Sequence, residues 1–124
     1  QLIKNIDATG NATSYEYDAS GNRTKIIDAK GSETINRYDG ENRLVKTIDA
    51  LGGETGYEYD INGNRTKVIA PNGATTTFAY DNFNQLIRET SPDRGTTTYA
   101  YDVSGNQTEK TDANGNVKTT TWDL

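Results

Sequence analysis

Short runs of alternating apolar and polar residues recur along the chain, separated by breaks rich in glycine, asparagine and aspartate. In residues 13–18, Tyr15 and Tyr17 alternate with polar residues, the period of two that is typical of a half-buried strand. A short turn that ends in Gly21 leads to a second run, residues 22–27, and another glycine-containing turn, residues 28–31, follows it. Two such runs joined by a short loop predict a β-hairpin, and the closely spaced turn residues argue against helix.

The hairpin pattern repeats every 21 residues without an insertion or a deletion. Fixed periods of this size indicate a repeat protein, in which each unit buries its apolar face against its neighbours. The aspartates that end the aromatic pairs mark the steps: Asp18, Asp39, Asp60, Asp81, Asp102 and Asp123. A second turn marker keeps the same step: Asp7, Asp28, Asp49, Ala70, Ser91 and Asp112.

These repeats predict an all-β fold in which each 21-residue unit is one β-hairpin. Six such units, or twelve strands, would form one continuous antiparallel sheet, and open sheets of more than about ten strands usually curl. We therefore expect a curved strip and a single repeat array over residues 1–124. Since the chain begins inside a unit at Gln1, we expect this array to be an excerpt of, or a module from, a longer one.

One position in the first turn of each repeat is filled only by glycine or asparagine. These residues enter the left-handed backbone region at least cost, so a positive φ that closes the hairpin is predicted there. The positions are Gly21, Asn42, Gly63, Asn84 and Gly105. The aspartate before the turn, as at Asp18, is predicted to accept backbone N–H bonds as an Asx turn. In residues 91–95 the glycine is shifted by one place, and a locally different turn is expected.

Stacking the repeats places the aromatic residues in two columns. The structural aromatic column is unbroken and consists of Tyr17, Tyr38, Tyr59, Tyr80, Tyr101 and Trp122. The second aromatic column consists of Tyr15, Tyr57, Phe78 and Tyr99. Rings that recur on one face of neighbouring hairpins can pack as offset or edge-to-face pairs, so we interpret both columns as core. Under this interpretation Tyr17→Ala or Tyr59→Ala costs about 3–5 kcal/mol.

Two further features vary along the array. An aliphatic column becomes threonine in the last two repeats, which predicts a weaker end there; its members are Ile6, Ile27, Ile48 and Ile69. Another pair of positions alternates between apolar Leu44-Val45 and polar Arg65-Thr66, and the choice of glycine or asparagine in the turn alternates with it. Two explanations stay open: alternate hairpins face different environments, or an ancestral pair of units was duplicated without structural consequence.

Composition narrows the function classes. Leu, Ile, Val and Phe make up only 20 of 124 residues, which suggests disorder at first, but the unbroken period and the 19 threonines favour strands. A net charge of −5 with scattered Lys and Arg argues against nucleic-acid binding. The chain has no Cys and no His, which excludes disulfides and the commonest general base. No stretch is apolar enough for a membrane span.

The residues suggest no catalytic chemistry. Residues 60–64 and 112–116 superficially resemble calcium loops, but the bidentate glutamate and flanking helices of an EF-hand are missing. Carboxylate pairs such as Glu16 and Asp18 recur with the repeat, as structural residues do and one active site does not. We therefore predict no enzyme activity, no catalytic or metal-binding residues and no cofactor. A column of basic residues is interpreted as a solvated strand face: Lys4, Lys25, Lys46, Lys67 and Arg88.

The repeated core Tyr-x-Tyr-Asp-x-x-Gly-Asn-Arg, as in residues 15–23 and 57–65, resembles the YD repeat of the RHS family. The resemblance covers the whole chain and departs at Asn36, where the first aromatic is missing, and at Trp122, which replaces tyrosine. It implies a strip of β-hairpins that spirals into a hollow shell. In bacterial polymorphic toxins and insecticidal toxin complexes such shells enclose a toxic C-terminal domain, and a similar barrel in teneurins serves adhesion.

This resemblance implies a non-enzymatic structural segment of a secreted or cell-surface shell, of bacterial origin, that encapsulates a toxin or other cargo. Its partners would be neighbouring repeats of the same or a longer chain. An alternative is a self-assembling extracellular fibre or adhesin, built by head-to-tail pairing of end strands. A weaker alternative is a carbohydrate-binding module, in which the aromatic columns would stack on a glycan.

Overall fold

The structure is a computed structural model that describes residues 1–123. It consists of β-strands and turns, with no helix among the described residues. The last residue of the predicted array, Leu124, lies outside the described residues. The strands are β1 Leu2–Ile6, β2 Ala12–Tyr17, β3 Arg23–Ile27, β4 Glu33–Tyr38, β5 Leu44–Ile48, β6 Glu54–Tyr59, β7 Arg65–Ile69, β8 Thr75–Tyr80, β9 Leu86–Ser91, β10 Gly95–Tyr101, β11 Gln107–Thr111 and β12 Val117–Thr119.

The strands pair in chain order, from β1 to β12, in one sheet. Neighbouring strands run antiparallel; in the first pair, Ile3 lies opposite Tyr15. The all-β hairpin fold predicted from the sequence is therefore confirmed. The chain divides into two compact units, Gln1–Tyr57 (unit 1) and Glu58–Leu124 (unit 2).

Ten of the eleven turns share one backbone conformation. At the turn of Asp18, its N–H donates to the Asn22 carbonyl at 3.0 Å and the Gly21 N–H donates to the Asp18 carbonyl at 3.2 Å. This is a three-residue hairpin loop, whose last residue has a positive φ; φ is 86° at Gly21. Similar turns therefore form two rows, one along each side of the sheet where the strands end. We call the row that follows the aromatic pairs the YD edge, and the row on the other side the opposite edge.

The one different turn lies at residues 91–95. There Ser91 pairs directly with Gly95, and the Ser91 hydroxyl accepts a bond from the Arg94 N–H and donates to Asp93. Ser91 is also the only buried residue among those described, at 5% exposure. The prediction of a locally different turn at this place is confirmed.

The sheet has two chemically distinct faces. The strand register places Ile26 opposite Tyr15 on the aromatic face, and Lys25 opposite Glu16 on the other face, since side chains alternate along a strand. No apolar side chain in residues 1–123 is buried. The interpretation of the aromatic columns as a buried core is therefore wrong in this structure: the rings lie half-buried, and Trp122 is 52% exposed. A lone sheet has no second layer to cover either face.

Residues 1–123 contain no helix that is both long and apolar enough to cross a membrane.

Candidate functional site

The aspartate at each regular turn organises the turn through its carboxylate. In the turn at Asp18, Oδ1 accepts the N–H groups of Ser20 and Asn22, both at 2.9 Å, and Oδ2 accepts the Asn22 side-chain amide at 3.1 Å. The same backbone bonds recur at the turns of both edges. The aspartates that accept them are Asp7, Asp18, Asp28, Asp39, Asp49, Asp60, Asp81, Asp102 and Asp112.

These hydrogen bonds lower the pKa of turn aspartates on both edges. The Thr9 hydroxyl and then the Asn11 N–H lower the pKa of Asp7 from 3.8 to about 2, because bonds to the charged form favour it. The Asn22 N–H likewise lowers the pKa of Asp18. The pKa is lowered in the same direction at Asp39, Asp60, Asp81, Asp102 and Asp112.

Neighbouring turns on the YD edge are joined in pairs by asparagine side chains. The Asn22 amide donates to the Asn42 side-chain oxygen at 2.8 Å in unit 1, and Asn64 donates to Asn84 at 2.8 Å in unit 2. Both acceptors have a positive φ of 62°, and they stand where the other repeats have glycine. The alternation of glycine and asparagine therefore has a structural consequence. The doubled period was the sequence signal for it, but the partners were not predicted.

The structural aromatic column is tied to the backbone of the strand before it. The Tyr38 hydroxyl donates to the Arg23 carbonyl at 2.9 Å. The hydroxyls of Tyr80 and Tyr101 donate in the same way to the carbonyls of Arg65 and Leu86, and the Trp122 indole N–H donates to that of Gln107; each acceptor lies 15 positions earlier. Partial burial of the rings raises the pKa of Tyr80 and Tyr101. Each ring thus links its strand to the preceding one, and we call these rings struts.

The second aromatic column is more varied in its contacts. In unit 1 the Arg23 guanidinium lies 4.5 Å from the Tyr15 ring centroid and 5.9 Å from that of Tyr17, a distance suited to cation–π attraction. Asn36, which interrupts this column, donates to the Arg23 carbonyl at 3.2 Å and accepts a bond from Thr47 at 3.0 Å. The missing aromatic is thus replaced by a polar link. Tyr57, Phe78 and Tyr99 are half-buried.

The basic column lies on the opposite face of the sheet, paired with acidic residues. Lys25 pairs with Glu33 at 3.1 Å, Lys46 with Glu54 at 2.7 Å, and Lys67 with Glu58 at 3.1 Å. Exposed pairs of this kind contribute little to stability, about 0–1 kcal/mol each. This agrees with the solvated face inferred from the sequence.

An apolar groove on the YD edge of unit 2 was not recognised in the sequence. It lies between the turns at Asp81 and Asp102 and has a volume of about 620 Å³. Its floor includes Ile87, Tyr99 and Tyr101, and its walls include Phe83 and Val103. Phe83 is 82% exposed. Phe83 is the one aromatic outside both columns, and that exception was the signal that could have indicated the groove. We call it the unit 2 groove.

In the part of the chain described, the side chains form no metal site. Residues 1–123 hold no cluster of three or more potential metal ligands. In the two loops that resemble calcium loops, the carboxylates of Asp60 and Asp112 are occupied by their own turns.

Comparison with known proteins identifies relatives in sequence and in fold. A family model described as RHS Repeat matches residues 1–33, 38–75, 62–96 and 80–117. No curated protein sequence matches the chain. The crystal structure of TcdB2–TccC3–Cdc42 superposes with a TM-score of 0.73 and 19% identity, over 90% of this chain and 7% of that chain. TcdB2–TccC3 without its hypervariable C-terminal region gives a TM-score of 0.71 and 18% identity, over 91% and 7%.

A structure of the Photorhabdus luminescens Tc holotoxin pore, carrying a TccC3 mutation, superposes with a TM-score of 0.60 and 20% identity. It covers 91% of this chain and 8% of that chain. The present chain thus spans less than a tenth of the length of the structures it resembles. At these identities the likeness shows a shared fold.

Proposed function

This chain belongs to the RHS repeat family, and from that premise we propose that it is a non-enzymatic wall segment of a secreted or cell-surface bacterial β-shell. The shell would enclose a toxin or other cargo. The observation that carries this proposal is the unbroken series of hairpins, which superposes over most of its length on part of the TcdB2–TccC3 structures.

The hydrogen bonding of the chain suits a wall. Turn carboxylates such as Asp18 and the hydroxyls of Tyr38, Tyr80 and Tyr101 form hydrogen bonds with neighbouring backbone groups. No buried side-chain nitrogen or oxygen in residues 1–123 lacks a partner. Each repeat adds the same set of bonds, and stability in such arrays is approximately a sum over units and their contacts.

The exposure of the faces also supports a role within a larger assembly. Half-buried tyrosines on one face, with isoleucines such as Ile27, Ile35 and Ile48 on the other, leave apolar area that only additional protein would cover. A separate globular domain would bury part of that area in a core.

A fibre or adhesin is the second candidate, and one observation favours it. All five residues of β1 are exposed, and within the described residues β1 pairs only with β2; a second copy that paired with its outer side would extend the sheet. Growth through such heterologous contacts produces filaments.

The intact mass of the polypeptide in its native cells tests the choice between these candidates. A mass many times 13.6 kDa would support the shell wall, and the shell would then be purified and probed for protease-resistant cargo. A mass near 13.6 kDa would contradict a single-chain shell, and electron microscopy of the isolated protein would test for filaments.

A further inference from the structure

We propose that the unit 2 groove is a binding site for an extended cationic peptide, which would insert an aliphatic side chain flanked by arginine. The inference rests on the contacts of unit 2 and does not depend on the shell proposal. A volume of about 620 Å³ falls within the roughly 300–1,000 Å³ range of sites that bind small ligands.

The groove is preformed by its two turns. The Gln85 side chain donates to Asp81 Oδ2 at 2.9 Å, and its Oε1 stands so close to the neighbouring turn that a Cβ on Gly105 would lie 3.2 Å away. The floor is also fixed, because the Tyr101 hydroxyl donates to the Leu86 carbonyl at 2.6 Å. Preformed walls reduce the entropy lost on binding.

The apolar lining favours an aliphatic side chain as the inserted group. Phe83 stands almost free of protein contacts on its turn, and Val103 is fully exposed on the facing turn. Neither side chain is held by its own unit, so a ligand side chain between them would remove apolar area from water on both walls.

The charge of the groove favours a cationic ligand. Asp81 and Asp102 belong to its lining. Their carboxylates accept hydrogen bonds within their own turns, but neither has an ion pair among the described residues, so their negative charges are not neutralised. At the corresponding turn of unit 1, Asp39 pairs with Arg43 at 2.8 Å. Burial, then Tyr99 and then the charge of Asp81 raise the pKa of Tyr101 on the floor of the groove. The negative charge of Asp81 therefore acts on this floor.

Unit 1 shows which cation the aromatic pair accepts. The Arg23 guanidinium stacks on Tyr15 and approaches Tyr17. For the equivalent pair Tyr99 and Tyr101, the residue at the arginine position is Gln107. The Nζ of Lys110 lies 5.9 Å from the Tyr99 ring centroid. Thus the guanidinium that Arg23 supplies to Tyr15 has no counterpart from Gln107 at the Tyr99 and Tyr101 pair, and an arginine of the ligand would take its place.

The test titrates ¹⁵N-labelled chain with a short capped peptide, Gly-Ser-Arg-Leu-Arg-Ser-Gly, and follows amide shifts by NMR. A second peptide with glutamate in place of both arginines is the charge control. We expect shifts confined to residues 81–87 and 99–107 with the arginine peptide, weaker binding in high salt, and no binding of the glutamate peptide. Equal binding of both peptides, or no shifts at millimolar arginine peptide, would overturn the proposal.

Two variants locate the site. Phe83→Ser introduces the residue that unit 1 carries at this turn position, Ser20, and should raise Kd by about tenfold or more, the usual effect of losing a central aromatic anchor. Ile61→Ser removes an equally exposed side chain from another turn and should leave Kd unchanged. A similar effect of both variants would contradict binding in the groove.

Gln107→Arg tests the cation more directly, because it places beside Tyr99 and Tyr101 the arginine that Arg23 supplies to the Tyr15 pair. We expect loss of peptide binding, with protein shifts that show the new side chain over Tyr99. Asn114→Arg makes the same charge change on the opposite edge and should weaken binding only slightly. If the two substitutions weakened binding equally, the attraction would depend on net charge alone, and the proposed site would be wrong. Displacement of the peptide by neutral oligosaccharides would also overturn the proposal.

Discussion

In unit 1 the groove between the turns at Asp18 and Asp39 is lined by Thr24, Asn36 and Tyr38. In unit 2 the corresponding groove is lined by Ile87, Tyr99 and Tyr101. The backbone of the bounding turns is the same in both, so the difference is one of side chains alone. A regular array can thus keep its hydrogen-bonded frame while one repeat acquires a surface with different chemistry.

The two units also differ at the opposite edge. Unit 1 has an aspartate at every turn there, whereas in unit 2 two of the three positions are Ala70 and Ser91. The polar network at this edge is therefore less complete in unit 2.

The largest effect should be common to both units. Tyr38→Ala and Tyr101→Ala each remove a half-buried ring and its bond to the preceding strand, and we expect each to cost roughly 2–3 kcal/mol, less than for a fully buried aromatic. Urea unfolding would measure this. Val103→Ala, at an exposed turn, is the control and should change little. If either tyrosine variant lost no more unfolding free energy than Val103→Ala, its ring would not act as a strut in that unit.

The next largest effect is a loss of stability that should differ between the two grooves. Gly21→Ala and Gly105→Ala both place a side chain at positive φ, at a cost of about 1–2 kcal/mol. The new Cβ meets open space at Gly21 but lies 3.2 Å from Gln85 at Gly105, so the second variant should be the less stable one in thermal unfolding. Equal losses would mean that Gln85 moves away freely.

A smaller, stabilising effect is expected from Ala70→Asp. This change gives unit 2 the turn acceptor that unit 1 has at Asp49, and we expect a gain of about 0.5 kcal/mol, since one added hydrogen bond contributes little more on a surface. The existing bond from the Ala74 N–H to Asn72 limits the gain. Ala70→Glu carries the same charge on a longer side chain and should give no gain in the same denaturation assay.

The smallest expected effect is on the stability of the fold at acid pH. The pKa of Asp7 is lowered to about 2 in the folded chain, so this carboxylate stabilises the fold above its unfolded pKa of about 3.9. That contribution is lost as the pH falls from about 4 toward 2. Asp7→Asn should therefore flatten this part of the stability–pH curve. Parallel curves for the two proteins between pH 4 and 2 would contradict the assignment.

The elements were predictable because each repeats a strong local signal. Alternating Tyr15 and Tyr17, followed by a turn that ends in Gly21, leaves little freedom in where the strand stops. The positive φ at Asn42 and Asn84 also follows local chemistry, because only glycine and asparagine fill those positions. The partner that Asn42 accepts from is 20 residues away, and no local pattern identified it.

The candidate site was less predictable. Phe83 stood outside the columns, but its relation to Val103 depends on two turns coming side by side at one edge, which is a property of strand pairing. The prediction that the aromatic columns are a buried core was wrong for a similar reason. Periodicity shows that Tyr17 and Tyr38 share a face, but whether that face is covered depends on a second layer.

The sequence by itself determined the all-β class, the length of the repeat, the strands and the form of the turns, since propensity, alternation and turn chemistry act over a few residues. Only the tertiary structure decided the burial of the aromatic columns, the struts from Tyr38 and Tyr101, the asparagine links and the groove beside Phe83. Those features join residues about 15 to 20 positions apart across paired strands, and their distances are set by register and neighbouring turns rather than by local preference.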